Sequence, residues 1–439
     1  MRTVLKGYLY KYVRQGKTFK KILADLKESE YYSWEQLETL QRNKLQKLMN
    51  HCYRNVPYYT DIFKQIGLKP EDIKTVKDLE RLPFLDKRTV NANFDKLQAK
   101  NMVKFLANRA RTSGTTGRPT TFLRDYHSIN FESAAMWRFW NNLGDFGLRR
   151  VVLRGADVVP IERKKPPFWV YSPANRELIM SVYHLSGDTA KSYIEKLKEF
   201  NPDTLSALPS AAYQLAVYCQ NSGCEINLKA VYTTCELLPA SYRSFIEKVF
   251  QCPVMDWYGQ SERVAAIAQC EVGTYHILED YSIVETAATN CGLEIVGTGL
   301  DNYLMPLIRY RTGDIIELGH CMCSCGRSFR TVEKFYGRNV DYVITPEGNR
   351  ISLLLVNEAI DLAAVSNIGQ IQFVQEAVGK LEVNIVKSNI RKPLEREKIV
   401  QLVKSRTSPE MVVKVNEVES IPRGPNGKVS NVVQRVCSN

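Results

Sequence analysis

The sequence has no run of eighteen apolar residues, so no membrane-crossing helix is expected. It has no secretory signal ahead of its 11 scattered cysteines. A chain of 439 residues can bury a large core without a disulfide scaffold. The cysteines therefore read as reduced thiols and the chain as cytoplasmic. Acid is scarce relative to base, with 47 acidic against 60 basic side chains and a formal net charge of +13. No nucleic-acid-binding motif accompanies that excess, so no nucleic-acid partner is expected. A basic cleft that steers in a small polyanion accounts for the charge, as does plain solvated surface. The first 24 residues hold no acid but seven basic groups, Arg2, Lys6, Lys11, Arg14, Lys17, Lys20 and Lys21. Val4, Leu5, Tyr8, Leu9, Tyr12 and Val13 recur there at helical spacing. Such a helix either lies on an anionic membrane surface or packs on its own domain.

What the chain does have is an unusual stretch at Arg111 to Pro119, R-T-S-G-T-T-G-R-P. Thr112, Ser113, Thr115 and Thr116 crowd around Gly114 and Gly117. Glycine lets backbone approach a ligand closely, and successive N–H groups in such a turn form an anion-binding concavity. The hydroxyls add donors for phosphate oxygens. The plain alternative is a polar surface loop. No Gly-Lys-Ser/Thr closes the stretch, so it is not the P-loop of nucleotide triphosphatases, and a cation must come from elsewhere.

Around this loop the composition, 44% hydrophobic and 24% charged, is that of a globular protein, and the length suggests two to three domains. Residues 34–65 read as helical, and Asp86 is placed to cap a helix after Pro83-Phe84-Leu85. Beyond the loop, helical and short apolar runs alternate. The strands are predicted at Arg149 to Arg154, Thr204 to Ala207, Leu228 to Thr234 and Val254 to Tyr258. Between them fall helices at Ser186 to Glu199, after Ser210 as a cap, and at Tyr242 to Phe250. This alternation predicts an α/β fold with mostly parallel sheet, in which ligands bind at the carboxyl ends of strands.

Tyr258-Gly259-Gln260-Ser261-Glu262 sits at such an end. An aromatic ring can stack on a base, and a carboxylate beside a phosphate site can hold Mg²⁺. Asp314, in R-Y-R-T-G-D, can accept hydrogen bonds from both hydroxyls of a ribose, although Asp after Gly is also an ordinary turn. Cys270 and His276 are separated by five residues, and Cys321, Cys323 and Cys325 follow in C-M-C-S-C-G. Thiolate plus imidazole suits tetrahedral zinc, here Cys270, His276, Cys323 and Cys325, with Cys321 or His320 as the spare. Four protein ligands leave no open position, so the zinc would be structural. Free thiols in a turn are the alternative. From Val340 on the pattern is that of a small α+β domain, with a hairpin turn at Thr345 to Asn349. It ends in a loop with two prolines and two glycines, Pro422 to Gly427, that presents Lys428.

Taken in order, these segments resemble the adenylate-forming superfamily: acyl-CoA synthetases, the adenylation domains of peptide synthetases, and luciferases. R-N-V-P-Y-Y, then L-P-F-L-D-K, then T-S-G-T-T-G is similar to the phenylacetate–CoA ligase-like branch, which includes proteins of capsule synthesis. The resemblance spans nearly the whole chain and implies residue roles. Thr112, Ser113, Gly114, Thr115, Thr116 and Gly117 would bind the phosphates of ATP. Tyr258 and Gly259 would lie against the base, with Glu236 lining its pocket. Ser261 would contact phosphate, Glu262 would hold Mg²⁺ and Asp314 would hold the ribose. Arg338 would contact nucleotide, and Lys428 would be the missing cation. Lys428, Glu262 and Thr115 would form the catalytic set. The implied domains are 1–337, with a zinc-binding insert around 270–325, and a mobile lid at 338–439. The hinge departs from the family pattern, with Val340 where an acid is usual and Asp341 matching the second acid.

The implied reaction is adenylation of a small carboxylic acid, then acyl transfer to CoA. An amine acceptor and a non-catalytic nucleotide-binding protein are the alternatives. Homodimers are common in the branch. Aromatics in Phe131 to Trp140 and in Ser206 to Tyr213 would suit an aryl or other compact acid, and core packing explains them equally well.

Overall fold

The computed structural model describes residues 16–104, 107–112, 120–144, 149–155, 158–289, 292–338, 342–353, 356, 360, 365, 367–387, 392–424, 427–430 and 432–436. The chain forms two compact units. One comprises Met1–Phe146, Ser172–Asn175 and Met255–Phe335, the other Gly147–Tyr171, Arg176–Val254 and Tyr336–Asn439.

The first unit opens with helices at Lys17–Ser29, Trp34–Asn55 and Pro57–Gln65. Ser33 and Gln36 close a capping box on the second of these, which ends where Pro57 removes a backbone donor and opens the third. The helical reading of 34–65 thus divides at Val56. Lys17–Ser29 buries Phe19, Ile22 and Leu26, and Phe19 meets Trp137 edge-on at 6.3 Å. This part of the basic N-terminus packs on its own unit; residues 1–15 lie outside the described residues. Asp86 caps Lys87–Ala92 as expected, accepting from the Thr89 amide at 2.7 Å. The helix Tyr126–Trp140 is capped in the same way by Asp125.

Strands at Ser282–Thr289, Gly292–Gly299 and Tyr310–Leu318 pair antiparallel, as do Thr331–Arg338, Tyr275–Ile277, Ala266–Gln269 and Val254–Gly259. The motif segments 258–262 and 310–314 therefore hang on a mostly antiparallel frame. Most of this region, expected from the sequence to be a zinc-binding insert, is thus sheet.

The second unit carries the expected parallel sheet. Ala230–Thr234, Thr204–Ala207, Arg150–Arg154 and Glu177–Ser181 pair in that order, all parallel. Ala190–Phe200, Pro209–Asn221 and Ala240–Phe250 supply apolar faces to a core that includes Val151, Leu178, Leu205, Tyr193 and Val231. Tyr213 stacks on Tyr242 at 4.2 Å within that core, so packing accounts for it. Ser210 is not the cap: the helix begins at Pro209 after Leu208, with no side-chain cap. The same unit holds an antiparallel hairpin, Tyr342–Ile344 with Arg350–Ser352, across the expected turn. Beside it a four-stranded sheet runs Val412–Glu417, Lys380–Lys387, Ile368–Ala377, Val432–Gln434. Val343, Phe373, Leu381, Val383, Ile399 and Val403 give this part its own core.

Candidate active site and metal centre

The candidate phosphate-binding segment, Thr112 to Gly117, follows the first strand of an antiparallel pair, Asn108–Arg111 with Thr121–Arg124. Its two ends are clipped together by Thr112, whose amide donates to the Thr120 carbonyl at 3.0 Å and whose Oγ1 accepts from the Thr120 amide at 3.1 Å. Ser113, Gly114, Thr115, Thr116 and Gly117 lie outside the described residues, as do Val340 and Asp341 of the hinge.

At the carboxyl end of Val254–Gly259, Tyr258 and Asp314 come together. The Tyr258 phenol donates to Asp314 Oδ2 at 2.7 Å while its ring stacks on Phe335 at 5.3 Å. Burial, with the Asp314 carboxylate beside it, pushes the Tyr258 phenol well above its ordinary value, so it remains a donor. Asp314 sits after Gly313, which takes φ +79° and passes its amide to Glu294 Oε1 at 2.9 Å. Gly259 has a different reason to be glycine: an added Cβ would lie 2.6 Å from Trp257 Nε1.

Glu262 is held by Tyr310, a fully buried residue whose hydroxyl donates to Glu262 Oε1 at 2.9 Å. Burial and then the charge of Glu262 raise the Tyr310 phenol far above its usual range, and Asp314 adds to the effect. Glu262 and Asp314 thus lie near one another, each accepting from the hydroxyl of a buried or half-buried tyrosine. Tyr310 was missed from the sequence, although it lies inside the R-Y-R-T-G-D segment. Arg124 was missed as well. It donates to the Ser261 carbonyl, and burial, followed by the like charge of Arg263, lowers its pKa to about 10. Arg124 Nε is buried without a partner among the described residues. A phosphate oxygen is the kind of group that would satisfy it.

Arg338 ends the strand Thr331–Arg338 and is half-buried. In the second unit, Glu236 accepts from the amides of Ser210 and Val429, each at 3.0 Å. Lys428 is half-buried, between Gly427 and Val429.

Cys270, His276, Cys323 and Cys325 converge, with their ligand atoms all within 4.8 Å of one another. Cys270 Sγ and Cys323 Sγ are 3.7 Å apart, and Cys325 Sγ is 3.4 Å from His276 Nε2. Tetrahedral zinc with Zn–S of about 2.3 Å and Zn–N of about 2.0 Å requires edges of roughly 3.8 Å (S···S) and 3.6 Å (S···N). The donor set therefore fits zinc in type and spacing. His276 Nδ1 lies 3.3 Å from the Phe329 carbonyl, which orients Nε2 toward the thiols. Cys321 is exposed and outside the group. Arg327 ties this loop to Glu30 and Glu271, each at 2.8 Å.

The fold is shared with solved adenylate-forming CoA ligases, and over most of its length the chain is similar to CapK and to phenylacetate–CoA ligases. The family model for the CapK C-terminal domain matches residues 343–435. Protein CapK of Staphylococcus aureus is 27% identical over 435 residues, covering 97% of this chain and 94% of that protein. A phenylacetate-coenzyme A ligase of Thermus thermophilus is 25% identical over 379 residues, covering 83% of each. Among solved structures, 2-hydroxyisobutyryl-CoA ligase in its postadenylation state with 2-HIB-AMP shares the fold, with a TM-score of 0.72 and 17% identity over 92% of this chain and 91% of that one.

Proposed function

We propose that this protein is an ATP-dependent, AMP-forming ligase. It activates a carboxylic acid as acyl-AMP and passes the acyl group to CoA. A carboxylate oxygen attacks the α-phosphorus of ATP and pyrophosphate leaves; the thiol sulfur then attacks the acyl carbon and AMP leaves. The observation that carries this reading is the pairing of Tyr258 with Asp314 and of Tyr310 with Glu262 at one strand end.

In this reading Asp314 takes the ribose hydroxyls, oriented by Tyr258. Glu262 is the carboxylate that would hold Mg²⁺, whose charge offsets that of the phosphate oxygens when bound. Thr112 anchors the loop whose donors, Ser113 to Gly117 with Thr115 among them, meet the phosphates. Glu236 borders the base pocket and Arg338 contacts the nucleotide. Lys428 supplies the cation that a Gly-Lys-Ser/Thr loop would otherwise provide. Residues 338–439 serve as the lid on a large domain of residues 1–337. The separate core of that segment and its match to a C-terminal domain family both support the division. Zinc held by Cys270, His276, Cys323 and Cys325 has a structural role. A cytoplasmic setting fits both ATP and CoA; among the described residues no helix is long and apolar enough to cross a membrane.

Transfer to an amine in place of CoA is kept as a second reading, because the relative spanning 97% of the chain is CapK and not a named CoA ligase. The deciding experiment is acid-dependent ATP–pyrophosphate exchange across aryl, fatty, amino and uronic acids, with AMP release measured with and without CoA. In the responsive acid, Lys428→Ala should cut exchange by about 10²–10³. Unchanged exchange in that variant would overturn the mechanism. AMP release that needs an amine and ignores CoA would replace the acceptor.

A further inference from the structure

We infer that Arg423 and Glu236 are positioning residues that clasp the Lys428 arm in place for the first half-reaction. This rests on the reading of Lys428 given above. The arm is a closed loop: Arg423 and Val429 form a β-bridge, Gly424 N donates to Lys428 O at 2.9 Å, and Gly427 N donates to Gly424 O at 2.9 Å. The residues on both sides of Lys428 are then held. Glu236 Oε1, from outside the arm, accepts from Val429 N at 3.0 Å, and Arg423 Nη1, within the arm, donates to Gly427 O at 2.9 Å.

The two holders converge on the first two turns of the helix Pro209–Asn221. Arg423 Nη1 also donates to Ser210 Oγ at 2.9 Å, and Nη2 donates to Gln214 Oε1 at 3.0 Å. Glu236 Oε2 accepts from Ser210 N at 3.0 Å, one of the amides that a helix start leaves without an intrahelical partner. Gly427 completes the fit. It takes φ +75°, and a Cβ there would lie 2.3 Å from Gly155 Cα, just past the parallel strand Arg150–Arg154. Backbone thus meets backbone at a strand end, one residue before the lysine.

The chemistry of the clasp suits a contact that must open. Its members are charged and backbone groups, and such bonds exchange with water at small net cost. An apolar seal of the same extent would not. Docking gives Lys428 a fixed position for adenylation; release frees the arm for the acyl-transfer step.

The test uses the full-length protein with Arg423→Met and Gly427→Ala, and with Lys428→Ala as the reference. Two readouts are taken. The first is hydrogen exchange of the Val429 amide, which needs no substrate. The second is the ratio of half-reactions, with phenylacetate for pyrophosphate exchange and with phenylacetyl-AMP plus CoA for AMP release. In both clasp variants the Val429 amide should exchange about tenfold faster or more, while the core amides of Phe373 and Val383 keep their protection. Pyrophosphate exchange should fall by about ten- to a hundredfold, the scale of a misplaced group, with AMP release from supplied acyl-AMP kept within about threefold. Val429 protection equal to wild type in both variants, or equal losses in the two half-reactions, would overturn the clasp. If Lys428→Ala leaves exchange intact while the clasp variants loosen Val429, the reading of Lys428 fails and not the docking.

Discussion

Replacing Tyr258 with Phe isolates one bond of the candidate nucleotide site. The ring remains, and with it the stack on Phe335 at 5.3 Å and 27°. Only the hydroxyl that donates to Asp314 Oδ2 at 2.7 Å is removed. A hydrogen bond to a charged group is worth about 1.5–3 kcal/mol. At about 1.4 kcal/mol per factor of ten, KM for ATP should rise by roughly ten- to a hundredfold if Asp314 holds the ribose and Tyr258 aims it. The assay is pyrophosphate exchange against ATP concentration for wild type, Tyr258→Phe, Asp314→Ala and the double variant. In the double variant the tyrosine change should add little, since its effect acts through the carboxylate already removed. Because the phenol is held well above its ordinary value of about 10, wild-type KM should show no tyrosine ionisation up to about pH 10. A KM within about twofold of wild type in Tyr258→Phe, or full additivity in the cycle, would refute the role given to this pair.

Protein purified without added zinc should carry about one equivalent, and Cys325→Ser should lose it, because the remaining three ligands no longer close a tetrahedron. Elemental analysis below about 0.2 equivalents for the wild type would remove zinc from the account. Asp86→Ala should cost about 1 kcal/mol of stability, the usual worth of an N-cap. For Asp86, burial acts to raise the pKa, but the bonds from Thr89 and the charge of Arg88 outweigh it, so the folded value is depressed. The stabilisation is therefore present above the unfolded value of about 3.9 and is lost as pH falls through the folded one. The stability gap between wild type and variant should accordingly close in acid, which denaturant melts at neutral and acidic pH would read.

The legibility of the chain followed how local each signal was. The cap at Asp86, the parallel strands around Thr204–Ala207 and the hairpin across Thr345 to Asn349 are written in neighbouring residues, and each could be read in place. The convergence of Cys270, His276, Cys323 and Cys325 was legible for a different reason: thiols and imidazole are chemically distinctive, so composition stood in for geometry. The antiparallel frame from Ser282 to Leu318 is not legible as strands in the sequence, where Gly313 and Asp314 point to a turn and a site. Tyr310 and Arg124 illustrate the same limit at the level of a single side chain. A tyrosine between two arginines looks like surface, and only the fold, by burying it beside Glu262, turns it into a carboxylate's donor. Ser210 has the sequence signature of a helix cap, since Pro-Ser commonly opens a helix. Its hydroxyl instead accepts from Arg423, more than two hundred residues on. Motif spacing therefore points to candidate substrate-binding groups, whereas the partners that hold them come from chain segments that meet only after folding. This is why variants of Arg124 and Arg423, which no motif singled out, are more informative about how the site works than further variants of the motifs themselves.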